Sequence, residues 1–132
     1  NKNFFYLLKK LRFMSERNDL EEMFKNWNEL NQKVQGSFSK FDFSEVKEIR
    51  NKQKNIEDAI YENLKENAPK SYREILPSEA GEMEVGYDTE GKKFYYVMID
   101  PKSEEQDSIK LIAFTIDVSK NVNMVEDFKI ED

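Results

Sequence analysis

The amino-acid sequence predicts a single α+β domain over residues 1–132: N-terminal helices that include a long helix hairpin, followed by a four-stranded antiparallel β-meander. Apolar residues recur at steps of three and four up to about residue 76 and then at steps of two. The 10 Phe, 6 Tyr and 1 Trp carry enough aromatic area to fold a chain in which 36% of residues are charged. We therefore expect a helical part at residues 1–76 and a sheet part at residues 77–132.

The helical part begins with two predicted helices. Residues 4–14 place apolar side chains at helical spacing, and the polar residues 15–18 are expected to break that helix. Asn18 followed by Glu21 is typical of a new helix start, and Gly36 is a natural stop because glycine tolerates the left-handed conformation that ends helices. The second helix carries an apolar stripe made of Leu20, Met23, Phe24, Trp27, Leu30 and Val34.

A third and longer helix is predicted over residues 43–67. Asp42 and Glu45 have the spacing of a capping box, and Pro69 ends the helix because the residue before a proline is pushed out of the helical region. Its narrow stripe favours a hairpin with residues 19–34. One polar residue lies at the centre of this stripe, which consists of Val46, Ile49, Gln53, Ile56, Ile60 and Leu64.

The sheet part follows one or two helical turns at residues 70–76. Strands are predicted at residues 83–87, 94–99, 109–118 and 122–130. Asp88 to Gly91 is a hairpin turn in which Gly91 is expected to supply a positive φ, and residues 100–107 form a polar loop. The two middle strands are apolar on both faces. The helices can cover one face, and the N-terminal helix, a second copy of the chain or a partner can cover the other.

The absence of His and Cys excludes several function classes. Catalytic triads of Ser or Cys with His, disulfide frameworks and zinc fingers all need one of these residues. The 4 glycines form neither a P-loop nor a dinucleotide-binding fingerprint. We therefore expect a protein that is not an enzyme and that needs no cofactor and no metal.

Charge is distributed unevenly along the chain. Residues 1–70 contain 14 basic and 12 acidic residues, whereas residues 71–132 contain 7 basic and 15 acidic residues. The sheet part therefore repels phosphate backbones, which argues against nucleic-acid binding, and it attracts a basic protein partner.

These observations favour a non-catalytic protein-binding module that uses an acidic sheet surface to bind a basic protein. The order of helices followed by an acidic antiparallel sheet resembles the plan of small bacterial immunity proteins that neutralise toxins, and this resemblance of plan, which carries over no residue, implies an immunity or inhibitor role. Tyr87 and Tyr95 are the expected aromatic anchors. The predicted binding residues are Glu82, Glu84, Tyr87, Asp88, Glu90, Tyr95, Glu104, Glu105 and Asp107.

Two other functions stay open at this stage. The chain begins at Asn1 and not at Met, which fits a removed signal peptide, a lipid-anchored stalk or a longer parent protein. One alternative is therefore a processed envelope- or surface-associated domain whose basic N-terminal helix lies near a membrane, through Lys2, Lys9, Lys10 and Arg12. The location is then either cytoplasmic or, after N-terminal processing, at the envelope. A small metal-dependent enzyme is the second alternative, with the acids between residues 79 and 90 around a cation. A homodimer is compatible with each of these functions.

Overall fold

The predicted fold class is confirmed by a computed structural model. The structure describes the backbone of residues 2–39, 42–105 and 108–129, and the side chains of the same residues except 2–18 and 38–39. The helices are α1 (Lys2–Ser39), α2 (Phe43–Asn67) and α3 (Lys70–Arg73), and the strands are β1 (Glu84–Asp88), β2 (Lys93–Ile99), β3 (Leu111–Asp117) and β4 (Val122–Val125).

Helix α2 has the bounds that the sequence predicts. The side chain of Asp42 accepts a hydrogen bond of 3.0 Å from the backbone N–H of Glu45, which satisfies one donor of the first turn. The helix ends at Asn67, and Ala68 is extended ahead of Pro69. All members of the stripe predicted for residues 43–67 are buried except Ile56, which is half-buried against the core.

The predictions for α1 were wrong in two places. Residues 15–18 do not break the helix, and Gly36 does not end it, because α1 is continuous from Lys2 to Ser39. Neither stretch contains a proline, and polar residues or one glycine inside a helix cost only about 1 kcal/mol each or less. Packing is maintained on both sides of Gly36: Val34, before it, is buried with residues of α2, and Ser37, after it, is also buried.

The four strands form the predicted meander in the order β1-β2-β3-β4, with every pair antiparallel. Strand β4 is shorter than predicted and ends at Val125. Asp127 then has a φ of 52°, and the N–H of Phe128 donates to the backbone oxygen of Leu111 at 2.8 Å. The predicted polar loop at residues 100–107 contains a short 3-10 helix, Pro101–Glu105.

The turn between β1 and β2 lies where the sequence predicts it, but the role of Gly91 was wrong. The residue with positive φ is Lys92 (52°), not Gly91. The carboxylate of Asp88 holds the turn by accepting hydrogen bonds from the N–H groups of Glu90 and Gly91. A Cβ on Gly91 would lie 2.6 Å from Oδ2 of Asp88, so glycine is needed here for this close approach.

The core lies between the helix hairpin and one face of the sheet. Phe94 and Tyr96 of β2 and Phe114 of β3 point toward the helices and are completely buried. On the opposite face, which we call the outer face, Val97 and Ala113 are also buried.

Part of the outer face is covered by the segment after β4. The ring of Phe128 lies 5.8 Å from that of Tyr95, and Tyr95 belongs to the outer face because it alternates with Phe94 and Tyr96 along β2. This chain segment was not among the three coverings that the sequence suggested.

The basic N-terminal residues fall outside what the structure describes in detail. The backbone at Lys2, Lys9, Lys10 and Arg12 is helical, and their side chains lie outside the described part. Within the residues described, no helix combines the length and the apolar character needed to cross a membrane.

Candidate binding cleft

A cleft of about 690 Å³ separates the middle of the helix hairpin from strand β1. Strand β1 lies at the edge of the sheet, so the cleft follows an edge that has no neighbouring strand among the described residues. The helices supply Trp27, Asn28, Asn31, Arg50, Lys54 and Glu57, and the sheet side supplies residues 81–87 and Tyr95.

Ring contacts in the core fix Trp27 at the inner side of the cleft. Its indole ring meets Phe94 edge-on, with ring centroids 5.1 Å apart. The side-chain amide of Gln53 donates to the backbone oxygen of Trp27 at 3.3 Å and to Oδ1 of Asn31 at 3.5 Å. The polar residue at the centre of the α2 stripe therefore joins α2 to α1 beside the cleft.

Three polar residues of α2 form one row along the cleft. Arg50, Gln53 and Glu57 follow each other at steps of three and four, which places them on one face of the helix. The guanidinium of Arg50 donates to the side-chain oxygen of Gln53, and its Nη1 lies 3.5 Å from Oε2 of Glu57. The side chain of Arg50 is 46% exposed and that of Glu57 only 4%, so the carboxylate is the buried partner of this ion pair.

Burial raises the pKa of Glu57 above its ordinary value of 4.5, because the charged form loses its hydration. Arg50 is the largest opposing influence, followed by the indole N–H of Trp27 and by Lys54, which all favour the charged form. The buried Trp27 N–H lies close enough to the Glu57 carboxylate to favour its charged form, but it does not reach hydrogen-bond geometry with any residue that the structure describes. The cleft thus contains a buried carboxylate and, beside it, a buried indole donor that forms no well-aligned hydrogen bond within the described residues.

The elevated pKa of Glu57 predicts how stability depends on pH. Because the folded state binds this proton more tightly than the unfolded state, the stabilisation is complete below the unfolded pKa, near 4.5, and is lost as pH rises through the higher folded pKa. We expect Glu57→Gln to remove this loss, so that its stability relative to the wild type increases as pH rises from below 4.5 toward neutral. Urea unfolding across this range measures the difference.

The matched control for this prediction is Glu66→Gln, an exposed position on the same helix. Its free energy of unfolding should follow the wild-type pH dependence. If the Glu57→Gln curve also runs parallel to the wild-type curve, Glu57 does not have a raised pKa in the folded protein.

Lys54 connects α2 to the turn that precedes β1. Its ammonium donates to the backbone oxygen of Gly81 at 2.7 Å and pairs with Asp58 at 3.0 Å. The charge of Lys54 is therefore already matched within the protein. Along the β1 side, the carboxylates of Glu82 and Glu84 are exposed and form no ion pair with any residue that the structure describes.

Tyr95 closes the outer side of the cleft. It pairs across the strands with Gly86, and its ring lies directly over that glycine: an ideal Cβ on Gly86 would be 2.1 Å from the Tyr95 hydroxyl oxygen. An aromatic ring that covers a cross-strand glycine protects the backbone of an edge strand. Gly86 is buried as a result, and the Tyr95 side chain reaches the cleft.

The structure brings together only part of the predicted binding set. Glu82, Glu84, Tyr87 and Tyr95 all line the cleft. Glu82 lies in the turn before β1, not within the strand.

The other predicted residues lie outside the cleft. Asp88 and Glu90 belong to the turn at the far end of β1. Glu104 and Glu105 lie in the connection from β2 to β3, at the end of the sheet opposite to that turn. Asp107 lies outside the described residues.

The helix side of the cleft was missed at the sequence level. Arg50 and Glu57 look like ordinary solvated charges on a helix, and Trp27 looks like a core residue. The available signal was Gln53: a polar residue inside an apolar stripe needs a hydrogen-bond partner, and charges three residues before and four residues after it share its face.

Comparison with known proteins supplies no relative for this chain, since it matches no model of a protein family, no curated protein and no solved structure. In the part of the chain that is described, no group of three or more acidic residues is placed to hold a metal ion.

Proposed function

We propose that this protein is a non-catalytic protein-binding module and that the acidic edge of its sheet binds a basic protein partner. The observation that carries the proposal is the cleft beside β1. It combines an edge strand whose outer side has no neighbouring strand among the described residues, exposed carboxylates along the rim and a tyrosine at the outer side of the cleft. An immunity or inhibitor role is one form of this function.

Charge at the rim supports a basic partner. Glu82 and Glu84 are exposed at the start of β1, and Glu90 is exposed in the turn at its other end. None of these three carboxylates forms an ion pair within the described residues. Complementary charge of this kind mainly accelerates association and improves specificity, and its effect weakens as salt increases.

The tyrosines support a stable contact at the same place. Tyr87 is half-buried, and its ring lies 5.4 Å from Phe24, so the core holds it in position. Tyr95 is held between Gly86 and Phe128. Tyrosine side chains fixed in this way make good interface anchors because little side-chain freedom is left to lose on binding.

The test is capture of the partner from the cells that produce the protein, followed by calorimetric titration. The variant E82K/E84K/E90K reverses the exposed rim charges and leaves Asp88, which holds the turn, unchanged. We expect the partner to be basic and its affinity to fall by about tenfold or more in this variant, with most of the loss in the association rate.

A second triple variant controls for overall charge. E48K/E66K/E74K changes exposed residues of α2 and of the end of α3, and it raises the net charge of −6 by the same amount. We expect it to bind almost as tightly as the wild type. Equal loss in both variants would show a nonspecific charge effect, and no loss in either would remove the proposal.

A further inference from the structure

The outer edge of β1 is a row of backbone groups that could accept another strand. In an antiparallel sheet every second residue directs its N–H and C=O away from its neighbour, and β1 pairs only with β2 among the described residues. The strand has 5 residues and contains no proline, so its backbone offers donors as well as acceptors. The cleft leaves space along this edge for an extended chain.

The inner side of the cleft has unmet hydrogen-bonding capacity of both kinds. The indole N–H of Trp27, in a residue only 5% exposed, lies beside the Glu57 carboxylate but makes no well-aligned hydrogen bond within the described residues. Within the part of the chain that is described, the Glu57 carboxylate has one ion pair, at 3.5 Å, to an arginine that is itself half exposed. Buried groups in this state cost free energy until a partner reaches them. An extended peptide that carries a basic side chain supplies carbonyl oxygens for the first group and a cationic donor for the second.

The negative charge along the edge of β1 indicates which kind of chain can bind there. Glu82, Glu84, Asp88 and Glu90 are exposed before, on and after β1, so a second copy pairing through the same edge would bring like charges together. An acidic peptide meets the same repulsion. A basic extended segment is the occupant whose charge complements this edge.

We propose that an extended basic segment of a partner protein adds to β1 as a fifth strand and places a Lys or Arg side chain against Glu57. This inference rests on the proposed function and specifies the geometry of the contact. Backbone pairing with the edge strand gives affinity, and alternate side chains directed into the cleft give specificity.

The test is a titration of the ¹⁵N-labelled full chain, followed by nuclear magnetic resonance, with synthetic peptides of alternating Lys and Val. We expect saturable shifts in the amide signals of residues 84–88 and in the indole N–H signal of Trp27, and slower hydrogen exchange at the outward amides of β1. Glu57→Gln should weaken the binding of this peptide about tenfold, which corresponds to about 1.4 kcal/mol. Glu66→Gln is the matched control and should bind as the wild type does.

Two further peptides decide what kind of contact forms. The same peptide with its central peptide nitrogens methylated cannot donate to β1 and should bind at least about tenfold more weakly. The peptide with Glu in place of Lys should not bind. Equal binding of the methylated peptide would overturn strand addition and leave the acidic surface of the proposed function intact.

Two further outcomes would each contradict the addition of a partner strand to β1. If no basic peptide moves the β1 or Trp27 signals, strand addition is overturned, whereas the proposed function fails only if the E82K/E84K/E90K variant also keeps its partner. If the β1 signals shift with protein concentration before any peptide is added, the occupant is a second copy and the proposal is wrong.

Discussion

Phe94→Ala is expected to lower the free energy of unfolding by about 3–5 kcal/mol, the cost of removing a large buried aromatic side chain and leaving a cavity. Phe94 is completely buried at the contact between α1 and the sheet. Its ring stacks on Phe24 at 5.8 Å, meets Trp27 edge-on at 5.1 Å and lies 5.4 Å from Tyr96. The alanine variant loses all of these contacts.

Urea unfolding monitored by circular dichroism measures this loss without relying on Trp27, whose fluorescence the substitution also changes. Ile99→Ala on the same strand is the control, because Ile99 is 42% exposed and should cost about 1 kcal/mol or less. A loss for Phe94→Ala as small as the loss for Ile99→Ala would show that α1 does not pack on the sheet through this ring. Such a domain has only about 5–15 kcal/mol of stability in total, so the variant should also unfold at a clearly lower temperature.

How much of the fold the sequence predicts depends on whether the determining interactions are local. The bounds of α2 are predicted because its start and end are coded by neighbouring residues, Asp42 with Glu45 and then Pro69. The continuity of α1 is not predicted. Weak local signals at residues 15–18 and at Gly36 are outweighed by helix propagation and, near Gly36, by packing of Val34 against α2.

The cleft is likewise predicted only where its residues are determined by local sequence patterns. The sequence places Glu84, Tyr87 and Tyr95 on two adjacent strands, and these three residues do meet at the cleft. It does not show that Glu57 is buried, since the burial of a charged helix residue depends on which surface packs over it. Trp27 has no distinguishing local pattern either, because the position of its buried N–H beside Glu57 is a property of the assembled core.

Gly86→Ala is expected to cost about 1–3 kcal/mol, because its new Cβ would overlap the ring of Tyr95. Gly86 does not have a positive φ, so the backbone itself accepts an L side chain there, and alanine in a strand interior is otherwise no worse than glycine. The whole expected loss therefore comes from one contact. A double-mutant cycle with Tyr95→Ala isolates that contact by measuring the cost of Gly86→Ala with and without the ring.

In the Tyr95→Ala background the cost of Gly86→Ala should fall to about 0.5 kcal/mol or less, which gives a coupling free energy of about 1–3 kcal/mol. Gly36→Ala is the control for the substitution itself. A Cβ on Gly36 has no atom within 4 Å, and alanine is the better helix former there by about 1 kcal/mol. Equal costs of Gly86→Ala in the two backgrounds would mean that Tyr95 does not lie over Gly86. The cleft would then lose its outer side. Tyr95 belongs to β2 and reaches the edge of β1 only by crossing over Gly86, which has no side chain to block it.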